Sequence, residues 1–277
     1  MDGRKPPWLK VRLGGSGEYP HVHSSIKRHG LHTVCEEARC PNMGECWGCG
    51  TATFLIMGEL CTRNCRFCAV KTGASGSPLD GREPAELAAC VKELGIRYAV
   101  ITSVDRDDLP DKGAGHFAEC IKALKSTGAR VEALIPDYAG KSISTVVAAG
   151  PDVLAHNIEV VKRLQGLRDA RASYEKSLET LRLAKTEGSR LKTKSSIMLG
   201  LGETDSEVLE AMDGLRSVGC DHLTIGQYLQ PTRRQVPVAE YVSPEKFREY
   251  ADAASGRGFS RVVSEPLART SYKAGEK

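Results

Sequence analysis

The chain has 277 residues, of which 40% are hydrophobic and 27% are charged. This composition is typical of one globular domain and excludes a disordered chain, because enough apolar surface is present to form a core. No run approaches the roughly 18–20 apolar residues that span a bilayer, so we expect no membrane association. Lys and Arg (39) outnumber Asp and Glu (35) for a net charge of +4, which permits an acidic partner but lacks the dense basic block typical of nucleic-acid binding.

Cysteine content gives the first indication of chemistry. Seven of the ten cysteines lie between residues 35 and 68. A chain of this length forms a core without disulfide bonds, so clustered cysteines favour metal or cluster ligation in a reducing compartment. The first residues contain no apolar segment typical of a secretory signal, and we therefore expect a cytoplasmic protein.

The N-terminal part of the chain shows little periodicity. We predict an extended arm over residues 1–34, with a short helix near residues 24–29. Residues 35–50 combine cysteines with Gly and Pro, which predicts compact loops.

A regular alternation of strand and helix patterns begins at Thr51. Apolar runs predict six strands, at 53–57, 98–104, 131–136, 153–158, 195–199 and 222–228. Patterns between them predict five helices, at 84–94, 115–126, 142–149, 174–185 and 206–218. Apolar strands separated by amphipathic helices predict an α/β fold with a parallel sheet, as an incomplete (βα)6 TIM-type barrel. A flat doubly wound sheet is the alternative that the same pattern allows.

The alternation stops after residue 232. Ser243 followed by a proline predicts the start of a helix at 243–254, and a short strand at 259–263 and a polar tail follow. We therefore divide the chain into an N-terminal cysteine-rich extension (1–50), a barrel (51–232) and a C-terminal helix and tail (233–277).

The cysteines form two groups of three. The group that comes later in the chain, which we call the downstream triplet, consists of Cys61, Cys65 and Cys68 with the spacing C-x3-C-x2-C. Three soft ligands in one short loop suit a four-iron cluster, which keeps one iron open to a small molecule. The position after a predicted strand also fits, because ligands bind at the carboxyl ends of strands in parallel α/β folds. A zinc site that recruits a fourth ligand is the alternative.

The group that comes earlier in the chain, which we call the upstream triplet, consists of Cys35, Cys40 and Cys46 with the spacing C-x4-C-x5-C. It also places three thiolates on a segment rich in Gly and Pro. Zinc with Cys49 as fourth ligand is an alternative, since Cys46 and Cys49 form a C-x2-C pair. The remaining cysteines are expected to be core thiols; they are Cys90, Cys120 and Cys220.

The two triplets, in this order, resemble those of lipoyl synthases, a family of radical S-adenosylmethionine (SAM) enzymes. The spacing of the downstream triplet is common to the radical SAM superfamily, whereas the upstream triplet, within Cys-Glu-Glu-Ala-Arg-Cys-Pro-Asn, is specific to the family. The tail reads Arg-Thr-Ser-Tyr from Arg269, where the family has Arg-Ser-Ser-Tyr. Further similar stretches begin at Thr51, Thr102, His156, Met198 and Gly226.

The resemblance implies two 4Fe-4S clusters and SAM as cofactors. The downstream triplet would hold a cluster whose open iron chelates SAM, and one electron would cleave SAM to methionine and a 5′-deoxyadenosyl radical. The radical would abstract hydrogen from an octanoyl chain on a lysine of a lipoyl-carrier protein domain. The upstream triplet would hold an auxiliary cluster that donates sulfur at C6 and C8 and is consumed. Implied partners are that carrier, a one-electron reductant of the ferredoxin or flavodoxin type and a carrier that repairs the cluster.

The resemblance also assigns a role to the C-terminal tail, which would cover the barrel opening. Ser271 would be a further ligand of the auxiliary cluster, although Thr270 carries a hydroxyl too and is the alternative. A serine oxygen binds this iron more weakly than a thiolate, so it would leave when sulfur is donated. Cys49 departs from the family pattern and is either a competing ligand or an idle thiol.

Residues at the ends of predicted strands are candidates for binding SAM. Each has a structural alternative: an aromatic in the core, a polar residue at a strand end or an arginine on the surface. Asp107 and Asp108 are expected instead in a solvated capping loop. The candidate SAM contacts are Phe67, Ser103, Asp105, Asn157, Glu159 and Arg168.

Two other functions fit the sequence less well. Another radical SAM sulfur or methylthio transferase is disfavoured by the upstream triplet and the tail. A non-catalytic iron–sulfur carrier or zinc-binding module has no need of a large parallel scaffold around an open site.

Overall fold

The computed structural model of the chain describes residues 5–10, 17–48, 52–272 and 274–275. The strands in these ranges are β1 (His32–Thr33), β2 (Thr53–Ile56), β3 (Leu60–Cys61), β4 (Lys71–Thr72), β5 (Tyr98–Ser103), β6 (Arg130–Leu134), β7 (Val153–Ala155), β8 (Lys192–Leu199), β9 (His222–Gln227) and β10 (Arg261–Ser264). The α-helices are α1 (Tyr19–Arg28), α2 (Val34–Glu37), α3 (Met43–Gly48), α4 (Glu83–Glu93), α5 (Ala114–Ser126), α6 (Lys141–Ala148), α7 (Tyr174–Glu187), α8 (Asp205–Ser217) and α9 (Pro244–Gly256).

Eight of these strands form one sheet in the order β1-β2-β5-β6-β7-β8-β9-β10. Neighbours pair in parallel except β1, which runs antiparallel to β2. Helices α4 to α8 connect the successive parallel strands from β2 to β9, so these strands end at the same side of the sheet. The predicted α/β fold with a parallel, incomplete barrel is confirmed.

The predicted strands and helices of the barrel are present with small shifts at their ends. One difference is β10, which pairs in parallel with β9, Arg261 lying opposite His222. It therefore extends the six-stranded prediction by a seventh parallel strand. All four of its residues are half-buried, so neither an alternating nor a fully apolar pattern marked it as part of the sheet.

The helix predicted near residues 24–29 begins earlier, at Tyr19. Pro20 occupies its first turn, where a missing N–H costs nothing. Val22 and Ile26, one turn apart, bury one side of the helix completely.

Residues 35–50 were predicted as compact loops. Helices α2 and α3 contradict this at 35–37 and 43–48, whereas residues 38–42 form a turn between them. Residues 49–50, including Cys49, lie outside the described residues. Thr33 begins α2 by accepting a hydrogen bond from the Glu36 amide at 3.3 Å. Trp47 on α3 is fully buried, and its ring lies 5.1 Å from that of Tyr19 between centroids. A cap and one buried aromatic stabilise helices that are too short to show a periodic pattern.

Most strands bury apolar side chains against the helices on the outer face of the sheet. The three cysteines predicted as core thiols, Cys90, Cys120 and Cys220, are 0% exposed. Lys194 on β8 pairs with Glu132 on β6 at 2.8 Å, and both are buried. Within the described residues, no helix is long and apolar enough to cross a lipid bilayer.

Asp221 joins three elements at the start of β9. Its carboxylate pairs with Lys185 of α7 and Lys192 of β8, and it accepts a hydrogen bond from the Thr193 amide at 2.9 Å. Burial opposes its ionisation, but Lys185 and this amide outweigh burial and lower the pKa of Asp221 to about 2.

We predict that Asp221→Asn lowers the free energy of unfolding by about 2 kcal/mol at pH 7. Because the folded-state pKa is depressed, this stabilisation is complete above the unfolded pKa and is lost as pH falls from about 4 towards 2. Urea denaturation at pH 7 and near pH 2 measures both effects, because the difference between wild type and variant should shrink at the lower pH, with exposed Asp252→Asn as the control. Equal stabilities of wild type and Asp221→Asn at pH 7 would contradict the prediction.

Candidate active site

The downstream triplet occupies a loop that is closed at its base. Cys61 ends β3, which pairs in parallel with β4, and the Gly73 amide donates to the Cys61 carbonyl at 3.0 Å. Within the loop, the Cys68 amide donates to the Cys65 carbonyl at 3.0 Å. The loop therefore holds its three thiols on a short, folded segment after β2.

Backbone N–H groups point at these sulfur atoms. Cys61 Sγ accepts from the amides of Arg63 and Asp105, each at 3.4 Å. Cys65 Sγ accepts from the Asp169 amide at 3.3 Å. Such N–H donors stabilise negative charge on sulfur and tune the potential of iron–sulfur clusters.

The thiols themselves are held in the neutral form by their surroundings. Burial, followed by the charge of Asp105, raises the pKa of Cys61 to about 11. Burial, followed by Cys68, raises the pKa of Cys65 to about 12, and burial also raises the pKa of Cys68. A bound cation reverses this preference, because thiols lose their protons when they ligate metal.

Arg63, inside the downstream triplet, was not singled out from the sequence. It is 5% exposed, and its Nε and Nη2 donate to the Asp107 carboxylate at 2.8 and 3.0 Å. Its Nη1 donates to Asp137, a buried residue that follows β6. Asp107 therefore does not belong to a solvated loop as expected. Through Arg63, Asp107 fixes the cysteine loop to the end of β5, and Asp137 fixes it to the end of β6.

Ser103 and Asp105 lie at the end of β5, beside the cysteine loop. The Ser103 hydroxyl oxygen is buried and has no hydrogen-bond partner among the described residues. Burial raises the pKa of Asp105 to about 6, against the effect of nearby Arg63. An orphaned hydroxyl and a poorly solvated carboxyl are features of a surface that binds a polar ligand.

Asn157 and Glu159 follow β7, which is shorter than predicted and ends at Ala155. Asn157 Nδ2 donates to Glu159 Oε1 at 3.1 Å and to Thr270 Oγ1 at 2.9 Å, while its own Oδ1 is buried without a partner. Glu159 has a left-handed backbone, with φ of +65°, and burial raises the pKa of its carboxyl. Strain of this kind at a non-glycine residue often marks a functional site.

Arg168 is buried rather than on the surface. Its Nη1 donates to Ser177 Oγ at 2.8 Å and to Gln165 Oε1 at 3.1 Å. Its Nη2 lies 3.6 Å from Asp137 Oδ1, and that carboxylate also contacts His156 Nε2 at 3.2 Å. Arg168 thus shares Asp137 with Arg63, in one polar network under the cysteine loop.

Phe67 is half-buried and packs on a small apolar cluster. The buried members of that cluster are Val160, Leu201 and Tyr228. The structure brings Phe67 to the edge of the cysteine loop, where it presents part of an apolar surface.

The upstream triplet lies on α2, α3 and the turn between them. Cys35 is buried, and burial raises the pKa of its thiol to about 11, against a hydrogen bond from the backbone of Thr53 on β2. The Cys40 amide donates to the Cys35 carbonyl at 3.0 Å. The triplet is thus folded against the first strand of the barrel.

The C-terminal tail contacts the upstream triplet at several points. Asn42 Nδ2 donates to the Leu267 carbonyl at 2.7 Å. Burial lowers the pKa of Arg269, and the nearby Cys40 opposes that effect. The tail is therefore the element that lies over the upstream cysteines.

The two hydroxyl groups of the tail have different partners. Thr53 Oγ1 donates to Ser271 Oγ at 2.8 Å. The backbone of the same Thr53 forms a hydrogen bond with Cys35. Thr270 Oγ1 instead accepts from Asn157. Ser271 thus lies on the side of the upstream triplet, and Thr270 lies on the side of the strand-end residues.

Comparisons with known proteins identify the family. Residues 55–215 match the Radical SAM superfamily, and residues 2–40 match the N-terminal domain of lipoyl synthase. A lipoyl synthase of Anaeromyxobacter sp. (strain Fw109-5) is 53% identical over 280 residues, covering 100% of this chain and 95% of the relative. One of Pyrobaculum calidifontis is 53% identical, covering 98% and 95%.

The chain belongs to the lipoyl synthase family of radical SAM enzymes. Among solved structures, methylornithine synthase shares 14% identity with a TM-score of 0.59, over 90% of this chain and 83% of that one. Streptococcus suis SuiB bound to S-adenosylmethionine shares 10% identity with a TM-score of 0.60, over 88% and 53%. At these identities the likeness supports the fold alone.

For a family member with two separate clusters, the iron content reports each triplet independently. We predict about eight iron atoms per wild-type chain and about four in either Cys65→Ala or Cys40→Ala, because each variant loses one ligand set. Reconstitution under anaerobic conditions followed by iron and sulfide analysis measures this. Cys120→Ala, which removes a buried core thiol, is the control and should retain about eight. Retention of all iron by Cys40→Ala would show that the upstream triplet holds no cluster.

Proposed function

We propose that this chain inserts two sulfur atoms, at C6 and C8, into an octanoyl chain carried on a lysine of a lipoyl-carrier protein domain. Its cofactors are SAM and two 4Fe-4S clusters. When bound, they supply the 5′-deoxyadenosyl radical and the sulfur atoms. The observation that carries this proposal is the tail, whose adjacent residues Thr270 and Ser271 have different partners: Asn157 among the strand-end residues and Thr53 on β2, against which the upstream triplet is folded.

The downstream triplet is proposed to hold the cluster that binds SAM. Three thiols with N–H donors directed at Cys61 and Cys65 provide a preorganised set of ligands. Three ligands leave one iron of a four-iron cluster for the amino and carboxylate groups of SAM.

The strand-end residues are proposed to bind SAM itself. Ser103 Oγ and Asn157 Oδ1 are buried polar atoms without partners in the described chain, which a polar ligand would satisfy. Asp105 and Glu159 offer carboxylates for the methionyl amine. The apolar surface at Phe67 suits the adenine.

Arg168 is proposed to act with these residues towards the SAM carboxylate. Its Nη1 is engaged with Gln165 and Ser177, so a contact with SAM would use Nη2. The low-dielectric surroundings would make such a contact strong.

The upstream triplet and Ser271 are proposed to hold the auxiliary cluster. Thr53 donates its side-chain hydroxyl to Ser271 Oγ, and its backbone forms a hydrogen bond with Cys35. A hydroxyl oxygen is a weaker ligand than a thiolate for this iron, so Ser271 would be the ligand that an auxiliary cluster gives up most readily.

The proposed partners follow from the reaction. Besides the octanoylated carrier, they are a one-electron reductant of the ferredoxin or flavodoxin type and a carrier that rebuilds the auxiliary cluster. The proposed compartment is the cytoplasm, because cluster assembly needs reduced cysteines.

We predict that Ser271→Ala retains the SAM-binding cluster but loses sulfur insertion, whereas Thr270→Ala retains both clusters. The reason is that the two hydroxyls have separate partners, Thr53 and Asn157. Mössbauer spectra of the auxiliary cluster, with product analysis, measure the difference. If Thr270→Ala perturbed the auxiliary cluster and Ser271→Ala did not, the assignment would be reversed.

The reaction itself is tested by anaerobic turnover with dithionite, SAM and an octanoyl-lysyl peptide. We expect 5′-deoxyadenosine and a peptide in which two sulfur atoms replace two hydrogen atoms, detected by mass spectrometry. Formation of 5′-deoxyadenosine with an unchanged peptide would refute the substrate. Absence of both from protein with two intact clusters would refute the proposed reaction.

A further inference from the structure

Three exposed arginines lie together beside the downstream triplet. Arg66, Arg233 and Arg234 are exposed, and no carboxylate of the described residues lies within 4 Å of their guanidinium groups. We call them the arginine rim.

The arginine rim is fixed to the cysteine loop by backbone contacts. The Val236 amide donates to the Arg66 carbonyl at 3.0 Å, and Gln235 Nε2 donates to the Cys68 carbonyl at 3.0 Å. The segment that carries Arg233 and Arg234 therefore lies directly against the loop that carries Arg66.

Other arginines around the loop are neutralised. Arg63 pairs with Asp107 and Asp137, and Arg171 pairs with Asp169 at 2.7 Å. The positive charge of the arginine rim is thus left for a partner outside the chain.

An apolar surface adjoins the arginine rim. Val236 and Val238 are half-buried and pack on Tyr228 and its neighbours. A partly apolar surface bordered by unpaired arginines is typical of a protein-binding site, in which arginine is enriched and charge steers association.

We propose that the arginine rim docks the lipoyl-carrier domain, through aspartates and glutamates on the carrier surface around its octanoylated lysine. This inference rests on the proposed function. The carbons that react hang on one lysine arm, so the carrier must dock within reach of the radical-forming loop. Arg66 lies on that loop and Arg233 and Arg234 lie on the segment against it, and their charge favours an acidic carrier surface.

The test compares a whole octanoylated carrier domain with a short octanoyl-lysyl peptide, which lacks the acidic surface. Arg233→Glu/Arg234→Glu should raise KM for the carrier about tenfold or more at low salt, with kcat and peptide turnover unchanged. Arg66→Gln should act in the same direction by a smaller factor. The matched control is Arg190→Glu in the exposed loop before β8, which should change neither substrate.

Carriers with reversed surface charge provide a second test, because they should restore binding to the charge-reversed enzyme. Carriers in which surface acids are changed to lysine should bind the Arg233→Glu/Arg234→Glu enzyme more tightly than the wild-type enzyme. Equal loss with carrier and peptide, or no loss with either, would overturn the docking site. Wild-type enzyme that processes the peptide establishes the proposed function independently, and wild-type enzyme that processes neither substrate refutes both.

Discussion

The buried guanidinium of Arg63 is the interaction on which the candidate site depends. It lies between Cys61 and Cys65 in sequence, and it joins the cysteine loop to Asp107 and Asp137. Removal of one partner of a buried ion pair leaves an uncompensated charge, which typically costs about 3–5 kcal/mol. The loop cannot move away from the strand ends without that cost, so the thiols stay beside Ser103 and Asp105.

A second connection runs from the strand-end residues through the tail to β2, against which the upstream triplet is folded. The tail passes from β10 to the upstream triplet, and its neighbouring hydroxyls contact Asn157 on one side and Thr53 on the other. Asn157 donates to both Glu159 and Thr270. A displacement of Glu159 would therefore shift Asn157 and, with it, the contact of Thr270, the residue next to Ser271. The arrangement suits a reaction in which radical formation and sulfur donation must occur in order on one carbon chain.

The sequence allowed much of the fold to be predicted. Apolar strands and amphipathic helices carry strong periodicity, and the cysteine spacing placed the downstream triplet after the first barrel strand. The short helices α2 and α3 were missed because they depend on Thr33 as a cap and on the burial of Trp47. The two-residue strand β1 was missed because it is too short to form a pattern.

The polar network was the hardest part to predict. Asp137 follows a strand like many other polar residues, and only the fold brings it to Arg63 and Arg168. The position of Arg63 between two cysteines gave no signal of burial either, since Arg66 also lies between two of these cysteines and is exposed. Thr270 and Ser271 are adjacent and both carry a hydroxyl group, so the sequence could not show that they contact different partners.

The most direct test of the account concerns the open position at the downstream cluster. A Cys35→Ala/Cys40→Ala/Cys46→Ala variant lacks the upstream triplet, so its cluster signal should come from the downstream triplet. We predict that SAM changes the electron paramagnetic resonance spectrum of the reduced cluster in this variant, because SAM binds directly to one iron. A spectrum that is identical with and without saturating SAM would mean that no iron is open to it. The downstream triplet would then not hold a SAM-binding cluster.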